Sequence, residues 1–99
     1  MNLQALMKQA QSMQKEITKI KEEIDSTVFE GKSSLVTVTV NGKKEVLSIK
    51  FSDDVKDLSD DLSMLEDMIL LALNDAFSKV DKCTNEKMGK YTNMMPGLF

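Results

Sequence analysis

The chain has 99 residues, among them thirteen lysines, no arginine, no histidine, no tryptophan and one cysteine, with a net charge of −3. That length accommodates a single domain, residues 1–99, and the 41% hydrophobic content can supply its core. Without histidine there is no imidazole ligand, no imidazole base and no Ser-His-Asp arrangement. A lone cysteine excludes an internal disulfide and a cysteine-based zinc site. The missing arginine removes the usual bidentate reader of guanine and phosphate. The expected class is therefore a binding or scaffolding protein, not an enzyme, with no cofactor, no metal and no small-molecule substrate.

The first elements follow from periodicity. Leu3, Leu6, Ala10, Met13, Ile17, Ile20 and Ile24 are spaced by threes and fours, the a/d seam of a heptad repeat. This predicts a helix over residues 3–24, with Asn2 as its N-cap. At 1.5 Å per residue such a helix is roughly 33 Å long, against a radius of gyration of about 13 Å for a compact domain of this size. It must overhang its own domain or pack along another long helix. Lysines and glutamines interrupt this opening stretch, so it contains no signal-peptide core. Thr27–Glu30 then reads as a short strand stopped by Gly31-Lys32-Ser33-Ser34. Val36, Val38 and Val40 alternate with Thr37 and Thr39, which predicts a half-buried strand. Asn41-Gly42 signals a tight hairpin with both turn residues at positive φ, and Val46–Phe51 supplies the return strand. The result is a three-stranded antiparallel meander whose apolar face a helix should cover.

Residues 52–61, SDDVKDLSDD, mark a shift in composition. Ser52, Ser59 and the Ser63-x-x-Glu66 box are alternative caps for the next helix. From there Leu62, Leu65, Ile69, Ala72, Ala76, Val80 and Cys83 form one stripe, while Met68, Leu70, Leu71, Leu73 and Phe77 add apolar residues on other faces. A helix apolar nearly all round is covered on more than one side. The sheet can cover one side, and a second copy of the chain in a two-fold dimer is the simplest cover for the other. Helix is expected to about Lys87, followed by a mobile tail from about residue 90, because Gly89 and Pro96 interrupt it. The longest apolar run, Met68–Leu73, is far short of a membrane span. The expected compartment is the cytoplasm.

Charge is unevenly spread. Residues 1–24 and 25–51 each carry four lysines against three acids, residues 52–78 carry one against eight, and residues 79–99 carry four against two. The middle is thus strongly acidic and both ends mildly basic, which permits a polyanionic partner without requiring one. The acidic run Asp53, Asp54, Asp57, Asp60, Asp61 lacks the glycine and register of an EF-hand loop and is better read as capping and solvated surface. Cys83 lies on the apolar stripe with no histidine to activate it, as expected of a structural thiol. Met13 and Met68 fall at core spacing, whereas Met88, Met94 and Met95 are harder to place in a core.

Lys8, Lys15 and Lys19 share one face of the first helix, and Lys79, Lys82, Lys87 and Lys90 lie at mixed spacing on the last. Spacing alone leaves two readings open: ordinary solvated surface, or a stripe of phosphate contacts that lysine would make as a point charge. There is no phosphate-binding glycine loop and no RNA-recognition aromatic motif.

Read end to end, the chain resembles the YbaB/EbfC family of bacterial nucleoid-associated DNA-binding proteins. The resemblance rests on Leu6-Met7-Lys8-Gln9-Ala10-Gln11-Ser12-Met13-Gln14-Lys15, on Leu35–Val38 with Asn41-Gly42, and on Val46–Ile49. It rests most specifically on Met64-Leu65-Glu66-Asp67-Met68-Ile69 with Ala72-Leu73-Asn74-Asp75-Ala76, and also on the closing Met95-Pro96-Gly97. It implies an α+β fold: a homodimer whose protomers have a long N-terminal helix, a three-stranded antiparallel meander and a long C-terminal helix. It also implies a non-enzymatic role in the nucleoid, binding double-stranded DNA and organising it, with an effect on gene expression. On that implication Lys8, Lys15, Lys19, Lys79, Lys82, Lys87 and Lys90 would contact phosphate with little sequence preference. Ile17, Ile20, Leu65, Ile69, Leu73 and Phe77 would hold the core and the dimer. The chain departs from the family pattern in having Lys32-Ser33-Ser34 where the family has a glycine-rich turn, and in lacking arginine. A second reading of the same helices, hairpin, exposed heptads and methionines is a protein-interaction or chaperone clamp of the prefoldin kind.

Overall fold

A computed structural model describes residues 2–58 and 60–94, apart from the side chains of residues 90 and 92–94. Helix α1 (Leu3–Ser26) leads into strands β1 (Val28–Ser33), β2 (Val36–Asn41) and β3 (Val46–Phe51), then a 3-10 segment (Asp53–Leu58) and helix α2 (Leu62–Met94). The strands form one antiparallel sheet in the order β1-β2-β3, so the expected meander is present.

The start of α1 is the expected one: Asn2 Oδ1 accepts from the Gln4 N–H at 3.0 Å. Its end is built by Thr27, whose hydroxyl donates to the Glu23 carbonyl at 2.6 Å while its backbone turns extended. The hydroxyl satisfies a carbonyl that the helix leaves without a partner. Helix α2 is capped by Asp61 instead of the serines: Asp61 Oδ1 accepts from the Met64 N–H at 3.1 Å. Ser52 accepts from Asp54 in the 3-10 segment, and Ser59 lies outside the described residues.

The first strand is longer than expected. Gly31 does not stop β1 but lies buried within it, paired with Val38, because α2 crosses here at very short range. A Cβ on Gly31 would collide with the Ala72 carbonyl and sit 2.5 Å from the Ala76 nitrogen and 2.7 Å from the Ala76 Cβ. The β1–β2 hairpin turns instead on Ser34-Leu35, with Ser34 at φ 44°. The β2–β3 connection is not the two-residue turn that Asn41-Gly42 signals. The Lys44 N–H donates to the Asn41 carbonyl at 2.9 Å and the Asn41 N–H to the Glu45 carbonyl at 3.1 Å. Lys44 carries the positive φ, 63°, which gives a three-residue loop followed by a bulge between Thr39 and Val40. Gly42 serves closeness and not φ: a Cβ there would collide with the Ile24 carbonyl at the end of α1.

Two apolar clusters result. Val36, Val38 and Val40 are fully buried against Ala72, Ala76 and Val80, with Phe29, Leu65, Met68, Ile69, Leu73 and Phe77 packed partly around them. Leu62, the first residue of the expected stripe, is 64% exposed. The second cluster joins the helices: Ile17, Ile24, Met88 and Tyr91 are buried, flanked by Met13, Ile20 and Cys83. Helix α2 therefore does not end near Lys87. It continues through Gly89, at a cost of about 1 kcal/mol for glycine in a helix, because Met88 and Tyr91 on either side of it pack on α1. The expected tail from about residue 90 is helical to Met94, and residues 95–99 lie outside the described residues. The helices run antiparallel past the sheet, and the molecule measures 70 × 20 × 15 Å with a radius of gyration of 19.4 Å, so the overhang required by helix length is present.

Two substitutions at the β1 hairpin should move stability in opposite directions. Gly31→Ala forces a methyl into the α2 backbone and should destabilise the fold by roughly 2–3 kcal/mol. Ser34→Gly relieves the positive φ and should stabilise it by roughly 0.5–1 kcal/mol. Urea unfolding midpoints at constant slope read both.

Candidate nucleic-acid interface

The paired helices form an arm, and its charge follows from where each segment lies. Residues 3–21 of α1 carry Lys8, Lys15, Lys19 and Lys21 against Glu16, and α2 beyond Asp81 carries Lys82, Lys87 and Lys90 against Glu86. The opposite end, the 3-10 segment and the start of α2, carries Asp53, Asp54, Asp57, Asp60, Asp61, Glu66 and Asp67 against Lys56. Between Asp67 and Lys82 the helical rise alone separates the nearest charges of the two regions by about 22 Å. Salt at physiological strength screens over about 8 Å, so a polyanion on the arm hardly senses the acidic end.

On α1 the side-chain directions are sorted. At about 100° per residue, Lys8, Lys15 and Lys19 fall opposite Met13, Ile17, Ile20 and Ile24, the residues that pack toward α2. All three lysines are exposed, as are Lys82 and Lys87. Among the described residues none of these five side chains makes an ion pair or hydrogen bond within the chain. The α1 surface around Lys15 and Lys19, with Gln11, Gln14, Thr18 and Glu22, is an open depression and not a cleft. The Lys90 side chain lies outside the described residues.

Lys79 differs from the others. Its ammonium donates to the Glu30 carbonyl at 2.7 Å and lies 3.4 Å from Asp75 Oδ2. Asp75 Oδ2 in turn accepts from the Lys32 N–H at 3.0 Å. These groups tie β1 to α2 and set Lys79 apart from the arm lysines. The Lys32 bond, with help from Lys79 and against some desolvation, holds the Asp75 carboxyl below its ordinary value of 3.8.

Sequence spacing misses two lysines at the arm. Lys21 is exposed on α1, and Lys43 is exposed on the β2–β3 loop that Gly42 brings against the end of α1. Nothing in the local sequence shows that this loop meets the helix. Its neighbour Lys44 pairs with Asp81 at 2.8 Å. The six predicted core residues are all placed: Ile17 and Ile20 in the arm cluster, Leu65, Ile69, Leu73 and Phe77 around the sheet cluster. Among the described residues no group of acidic or cysteine side chains could hold a metal, and no helix is long and apolar enough to cross a membrane.

The model of the YbaB/EbfC DNA-binding family matches residues 1–95. The chain belongs to that family. It is 44% identical to a nucleoid-associated protein of Ligilactobacillus salivarius, covering 99% of this chain and 95% of that one. It is also 44% identical to a nucleoid-associated protein of Lactococcus lactis subsp. cremoris, covering 97% and 98%. The crystal structure of an uncharacterized protein from Helicobacter pylori superposes with a TM-score of 0.70 at 25% identity, over 96% of this chain and 98% of that one.

The Asp75 tie has a definite pH signature. A carboxyl held below its unfolded value adds stability that is present above about pH 3.8 and is lost as pH falls through the lower folded value. Asp75→Asn should lower the melting temperature at pH 7 and reduce the further loss seen on acidification below 3.8. Thermal melts of both proteins across pH 2–7 measure it.

Proposed function

We propose that this chain is a non-enzymatic, nucleoid-associated protein that binds double-stranded DNA through its basic arm. The observation that carries the reading is the separation of charge along the long axis. It gives a protein of net charge −3 a local surface fit for phosphate. Lys8, Lys15, Lys19, Lys82, Lys87 and Lys90 are the proposed contacts. Lys79, engaged with Glu30 and Asp75, contributes mainly to the fold. Lysine neutralises phosphate but reads base edges poorly, so binding is sequence-tolerant and acts by organising DNA, with any effect on expression following from that. Family membership and the names of the relatives support this class of function.

The working unit is a homodimer. Helix α2 packs on β1 and β2, so the apolar residues of β3 that share its face of the sheet remain half exposed: Ile49 at 43% and Phe51 at 46%. Leu70 and Leu71, on the outer side of α2, are exposed as well. Apolar surface of this extent on both the sheet and the helix fits burial against a second copy.

Titrating random duplex DNA at several salt concentrations tests the first part. Affinity should fall with a slope of about −0.9 per neutralised phosphate. Replacing Lys8, Lys15 and Lys19 together by glutamine should flatten that slope by about 0.9 per lysine while the circular dichroism spectrum stays unchanged. A wild-type slope near zero, alongside suppression of client aggregation, would favour the clamp reading instead. Sedimentation equilibrium tests the dimer. The expected mass is twice the 11.1 kDa of the chain, and Phe51→Glu should reduce it to a single chain and weaken DNA binding.

A further inference from the structure

The two edges of the sheet are treated differently. Along an antiparallel strand, successive residues turn their N–H and C=O alternately to one neighbour and to the other side. The Asn41 N–H donates to Glu45 and the Leu35 carbonyl accepts from Ser52, both on the β3 side. Thr37 and Thr39 therefore also bond toward β3, and Val36, Val38 and Val40 toward β1. This leaves the backbone groups of Val28, Glu30 and Lys32 on the free edge of β1, and those of Ile49 and Phe51 on the free edge of β3. Among the described residues nothing bonds to the backbone of Ile49 or Phe51 on that side. At the centre of β1, by contrast, side chains of α2 occupy two of the outward groups. The Lys79 ammonium donates to the Glu30 carbonyl at 2.7 Å, and the Lys32 N–H donates to Asp75 Oδ2 at 3.0 Å.

We propose that Asp75 and Lys79 form a plug that closes the β1 edge to strand addition by a second copy of the chain. The carboxylate stands where an added strand would present a carbonyl, and the ammonium where it would present an N–H. Glu30 and Lys32 flank Gly31, so a strand added in either direction needs both of these groups. The plug is built within α2: Asp75 and Lys79 lie one turn apart with 3.4 Å between their charged atoms, and Gly31 lets the helix come low enough for both to reach the edge. Without it, β1 would offer six regular residues with no proline and no bulge, the kind of edge that templates pairing. Closing one edge also bounds assembly. A sheet open on both edges can add copies without limit, whereas growth through a single open edge ends at a pair. The inference rests on neither the DNA reading nor the dimer reading, since it concerns only species larger than whatever the wild-type chain forms.

Sedimentation velocity and thioflavin T fluorescence of the full chain at pH 7 test it. Asp75→Ala combined with Lys79→Ala empties the edge and leaves good helix formers in α2. The concentration at which species larger than the wild-type assembly appear should fall about tenfold, as two added hydrogen bonds of ordinary net strength imply. Adding Lys32→Pro should restore the wild-type threshold, because proline removes the N–H from the edge strand. A threshold that does not fall would overturn the proposal. Association that survives Lys32→Pro would overturn it too, since it would then come from lost stability and not from the edge. Lys79→Met is a milder variant that frees only the Glu30 carbonyl and keeps Asp75 on the Lys32 N–H. Its threshold should fall about threefold and recover with Lys32→Pro, and an unchanged threshold there counts against the plug even where the double variant does not fold.

Discussion

Gly31 has no side chain, and that absence lets the backbone of α2 at Ala72 and Ala76 rest directly on β1. The position of α2 over the sheet follows from this approach. The helix buries the valines of β2 but leaves the β3 residues on the same face half exposed. Lys79 reaches the Glu30 carbonyl and Asp75 reaches the Lys32 N–H only because the helix lies so low. Such exposed pairs add little energy on their own. Their use is in direction: they hold a 33-residue helix at one angle to a three-stranded sheet. At that angle its second half leaves the sheet and meets α1 through Met88 and Tyr91. One close contact thus sets both the uncovered strand and the projecting arm.

Most elements of this fold are legible because their periods are long and clean. The heptad of α1, the Val-Thr alternation of β2 and the apolar stripe of α2 each repeat often enough to settle type and face. What escapes notice depends on contacts between elements. A glycine after a short strand looks like a stop, and only the nearness of Ala72 and Ala76 makes it a strand interior. Asn41-Gly42 looks like a turn that needs positive φ at both residues. Here Gly42 makes room for the end of α1, and Lys44 takes the left-handed conformation. Gly89 looks like a helix stop, yet burial of Met88 and Tyr91 on either side outweighs a propensity cost of about 1 kcal/mol.

The candidate site is legible to a different degree. The lysine face of α1 can be read directly, since three residues at spacings of seven and four must project together from any helix. The α2 lysines cannot be sorted that way. Lys79 falls in the same run as Lys82 and Lys87; its i,i+4 spacing from Asp75 allows a pair, and only the position of β1 shows that its ammonium also reaches the Glu30 carbonyl. Lys43 is invisible from local pattern for the complementary reason: a loop between two strands carries no sign that it abuts a helix 18 residues earlier in the chain.

Net charge and missing arginine bear on the proposed DNA contact through distance and geometry. A repulsive field from the acidic end must cross about 22 Å of helix to act at the arm, more than two screening lengths at physiological salt. The total of −3 is therefore a poor guide to what the arm attracts. Arginine matters where a planar fork must match a guanine edge or a phosphate in two bonds at once. An arm that presents ammonium groups on an exposed helix face has no such fork, and no cleft in which to hold a base. Each proposed contact would then be a point charge near a phosphate, replaceable by the next phosphate along the strand. Net charge therefore does not weigh against the proposed contact, and the missing arginine fits a proposed contact that grips the backbone and leaves the bases unread.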